Sequence, residues 1–66
     1  MEDLINCIET IKDNGDVAVL KFDGEREEKP YTVFITFPVV KGRDMIRVDG
    51  SNLKTALIEV LNGYIG

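Results

Sequence analysis

Residues 31–38 read YTVFITFP. Tyr31, Val33, Ile35 and Phe37 alternate with Thr32, Phe34 and Thr36, the period-two pattern of a strand with one buried face. Phe34 breaks the polarity of the other face. It places an aromatic ring between two threonines, on the side of an antiparallel sheet that normally meets water.

Working outward, Pro38 weakens the ladder at the strand's end and Lys41-Gly42 marks a turn. A further strand is predicted over 44–49, DMIRVD, with Ile46 and Val48 on one face and Met45 and Arg47 on the other. Upstream, GEREEKP at 24–30 is too polar to be buried and reads as a loop closed by Pro30. Before it, DVAVLKFD at 16–23 predicts a strand with Ala18, Leu20 and Phe22 on one face and Val17, Val19 and Lys21 on the other.

Two helices flank the strands. Leu4, Ile5, Ile8 and Ile11 form one apolar stripe over 3–13, with Asp3 placed to cap it and Asn14-Gly15 to end it. Leu53, Ala56, Leu57, Val60, Leu61 and Tyr64 form a second stripe over 52–62, with Ser51 as its cap and Gly63 as its stop. The chain is therefore expected to be one small α+β domain, residues 1–66, in the order α-β-β-β-α. Short connections favour a three-stranded antiparallel meander, and burying two apolar stripes favours both helices on one face. That face would take Leu20, Phe22, Val33, Ile35, Phe37, Ile46 and Val48.

The other face then carries Val17, Val19, Phe34 and Met45 beside Lys21, Thr32, Thr36 and Arg47, with Val19 and Met45 flanking Phe34. An apolar centre rimmed by threonine, lysine and arginine has the anatomy of a protein-binding patch. Two other readings compete. Valine, threonine and phenylalanine favour exposed strands by propensity alone. One helix on each face would bury Phe34 in a second core.

Composition narrows the chemistry. A chain of 66 residues has a thin core, burying only about 60% of its unfolded surface. A net charge of −4 disfavours nucleic-acid phosphate and anionic membranes as partners. With no histidine, the chain has no imidazole ligand and no histidine-assisted nucleophile. Asp23, Glu25, Glu27 and Glu28 lack the spacing of a calcium loop, so no metal or cofactor is expected. Cys7, the only cysteine, reads as a partly buried structural thiol and fits a reducing compartment. MEDLINCIET begins acidic where a secretory signal begins basic, and no stretch has the apolar length of a membrane span. A cytoplasmic protein without catalytic residues is expected.

Lys41, Arg43 and Arg47 gather near the second turn, and Lys41 with Arg43 is the weak candidate for holding an anion. The order of elements is similar to that of double-stranded-RNA-binding domains, a likeness of topology alone. Those domains grip phosphates from the start of the last helix, where SNLKTALIEV offers only Lys54. The sequence thus leads to a non-enzymatic protein-binding module using the face around Phe34. It would be an inhibitor or regulatory accessory protein of the kind small phage or mobile-element genes encode. Its partner is an unidentified protein or, through the same face, a second copy. A nucleic-acid-associated domain using the Lys41–Arg47 cluster is the alternative.

Overall fold

The computed structural model describes residues 2–66. Helix α1 (Glu2–Asp13) is followed by strands β1 (Val17–Phe22), β2 (Tyr31–Thr36) and β3 (Ile46–Gly50) and helix α2 (Leu53–Ile65), with a single 3₁₀ turn at Val39–Lys41. The strands form an antiparallel meander in the order β1-β2-β3. Both helices lie on one face, where Ile11, Val33, Ile35, Leu57 and Val60 form a fully buried centre. Among the described residues, no helix is long and apolar enough to cross a membrane.

Helix α1 ends as Asn14-Gly15 implies. Gly15 has φ +84°, its amide donates to the Lys12 carbonyl at 2.9 Å, and the Asp16 amide donates to the Ile11 carbonyl at 3.1 Å. This paired closure needs a left-handed residue, which glycine supplies without steric cost. Asp3 lies inside the first turn of α1, and Met1 is outside the described residues.

The second helix departs from its predicted ends. Asn52, not Ser51, caps α2, accepting from the Thr55 amide at 3.0 Å. Gly63 does not stop the helix, which runs to Ile65. Instead it lets α2 approach β3, because a Cβ there would come within 3.3 Å of Ile46 Cγ2.

Two burial expectations and one strand boundary are also corrected. Phe22 is 63% exposed and sits outside the core at the strand's end, where its ring meets Tyr31 edge-on at 5.5 Å. Cys7 is exposed, because Ile11 and its neighbours turn the stripe of α1 away from it. Strand β3 begins at Ile46, so Met45 precedes it.

Candidate protein-binding surface

The register fixes which side chains meet on the uncovered face. Val19 pairs with Phe34 and Phe34 with Arg47, so Arg47 replaces Met45 as the second flank of the ring. Phe34 is half-buried between them. One step along, Val17 pairs with Thr36, and continuing the register places Met45 on the far side of Thr36. One step the other way, Lys21, Thr32 and Asp49 share a row.

The face therefore has two ends of opposite character. At the apolar end Val17 and Met45 are each 54% exposed. The chain then runs through Phe37 and Pro38 into Val39 and Val40, which are 96% and 93% exposed. This exposed apolar pair is one that strand patterning passed over. Its only sequence signal is the run PVVKG, two branched apolar residues in a turn between breakers.

The charged end is organised around Asp49. Thr32 Oγ1 donates to Asp49 Oδ1 at 2.6 Å, Arg47 Nε lies 3.4 Å from Oδ2 and Arg26 Nη1 lies 3.5 Å from Oδ1. The Thr32 hydroxyl and the two guanidinium groups hold the Asp49 carboxyl below the usual carboxylate range, against the opposing effect of burial. Arg26 comes from the 24–30 loop, which thus reaches Asp49 at this end of the sheet, where Thr32 is buried. Lys21 Nζ stands 3.9 Å from Asp23 Oδ2 and is otherwise exposed.

The three basic residues read as one cluster have different partners. Lys41 Nζ donates to Asp16 Oδ1 at 2.7 Å and to the Asn14 carbonyl at 2.8 Å. Arg43 stacks over Phe37, its guanidinium carbon 4.3 Å from the ring centroid, and donates to the Tyr64 carbonyl at 3.3 Å. Phe37 stacks in turn on Tyr64 at 5.9 Å, with planes 6° apart. Arg47 remains on the open face.

Asp16 is the centre of that junction and was not singled out by patterning. It is only 6% exposed, and Tyr64 Oη donates to its Oδ2 at 2.7 Å. Asn14 Nδ2 donates to Tyr64 Oη at 2.9 Å. The hydrogen bond from Lys41, then that from Tyr64, lowers the Asp16 pKa while burial opposes them. One carboxylate thus ties the end of α1, the 3₁₀ turn and the end of α2 together, giving it a structural role.

Three shallow hollows of about 220, 270 and 130 Å³ mark the surface, the first bordered by Asp49 and the second by Val17. Each is smaller than the ~300–1,000 Å³ of most small-molecule sites. Among the described residues, no three acidic or cysteine side chains converge as metal ligands. No family model, curated protein or solved structure matches the chain.

Proposed function

We propose that the chain is a non-enzymatic protein-binding module, acting in the cytoplasm as a small inhibitor or regulatory accessory protein. The observation that carries this reading is the uncovered face of the sheet. Val17, Val19, Phe34 and Met45 lie on it or at its rim, with Lys21 and Arg47 beside them. Leaving such side chains partly accessible forfeits part of the roughly 1.5–3 kcal/mol that full burial of each contributes. A partner's apolar side chains recover that burial, and the surrounding charges set orientation and exclude mismatched partners.

Capture from host extract tests the reading. Proteins retained by the wild type and by I5D, whose change lies on α1, are expected to be lost with F34D and V19D. Retention by F34D and V19D, with loss in I5D, would move the binding surface to the helices.

A further inference from the structure

The register points to a second copy of this chain as one occupant of the open face, and we infer a two-fold dimer whose axis runs along β2 past Phe34. This rests on the open-face reading and adds the partner and the geometry. A half-turn about that axis keeps the rows in place and exchanges the outer strands, laying β1 of each copy over β3 of the other. Phe34 then meets Phe34 on the axis.

Each outer residue meets its row-mate on the opposite edge. Val17 faces Met45 of the second copy, apolar against apolar. Lys21 faces Asp49 of the second copy, cation against carboxylate. Val19 faces Arg47 of the second copy, whose stem is apolar and whose head reaches the rim. A half-turn about an axis across the strands would instead set the charged row on the apolar row, so the self-complementarity belongs to one symmetry operation. Two sheets packed this way stand about 10 Å apart, a gap that two opposed layers of side chains fill.

Three strands about 4.8 Å apart, two of six residues and one of five, present roughly 300 Å² in projection. Two such faces total roughly 600 Å², below the ~1,200–2,000 Å² of stable interfaces, so the dimer is weak and transient, with a Kd on the order of 100 µM.

Sedimentation equilibrium from 10 µM to 1 mM in low salt tests this with a matched pair at one site. V19E sets a carboxylate against Arg47 of the second copy twice per dimer and is expected to tighten association about fivefold. V19K sets a cation there and is expected to weaken it by at least as much. Non-specific repulsion between copies of net charge −4 predicts the reverse order, since V19K lowers the net negative charge and V19E raises it. F34D is expected to be monomeric throughout.

A wild type that stays monomeric at 1 mM overturns the dimer. So does a dimer indifferent to both Val19 changes. If F34D keeps its fold and loses a foreign partner, the open-face reading survives that outcome. If F34D unfolds, the open-face reading itself falls.

Discussion

On the helix-covered face Val33 and Ile35 are fully buried, whereas their strand neighbours Phe34 and Thr36 on the other face are only half-buried. The backbone is shared, so the contrast comes from what the flanking segments supply. Both amphipathic helices spend their apolar stripes on the same side. The uncovered side receives only the reach of Arg26 at its charged end. Among the described residues, neither helix lies on that side.

The largest expected effect sharpens that contrast. I35A removes a fully buried side chain from the covered face and should cost about 3 kcal/mol, read as a shift in the urea midpoint. For a domain this small that is a large part of its stability. F34A, one residue away, should cost about 1 kcal/mol. Equal losses at the two sites would break the distinction between the faces.

Next comes acid. The Asp16 and Asp49 carboxyls have folded pKa values below their unfolded ones, near about 3.9. Their contribution is therefore complete above the unfolded value and is lost as pH falls through the folded values. Thermal unfolding should be level from pH 7 to 5 and fall steeply below about pH 4. D16N should lower the neutral-pH midpoint and flatten the acid slope. Y64F removes one of the donors to Asp16 and should cost about 1.5 kcal/mol at pH 7. An acid slope unchanged by D16N would deny the junction its role.

The smallest effect is at Cys7. C7S should shift the unfolding free energy by less than about 0.5 kcal/mol, and the native thiol should react completely with an aromatic disulfide reagent. Slow reaction would return Cys7 to the core.

The order of elements and the covered face were legible because period-two and period-3.6 patterns report directly on burial. Leu20, Val33, Ile35, Ile46, Val48 and Leu57 all pack where their spacing put them. Phe22 escaped because alternation states which way a side chain points, not whether a helix extends far enough to cover it. Met45 was set beside Phe34 because register depends on the turn, and the connection through the 3₁₀ turn at Val39–Lys41 sets the pairing two residues differently, with Arg47 opposite Phe34. Asp16 was invisible for a related reason. Its partners Lys41 and Tyr64 are distant in sequence, and only the closed fold brings them together. Lys41 and Arg43 were read as free cations for want of the same information.

Urea unfolding of F34D beside I35D tests the two-faced sheet most directly, since adjacent residues receive the same charge on opposite sides. F34D is expected to keep a cooperative transition with an unchanged slope, while I35D shows none. If F34D also loses its transition, the ring is part of the protein's own core and the sheet has no open face.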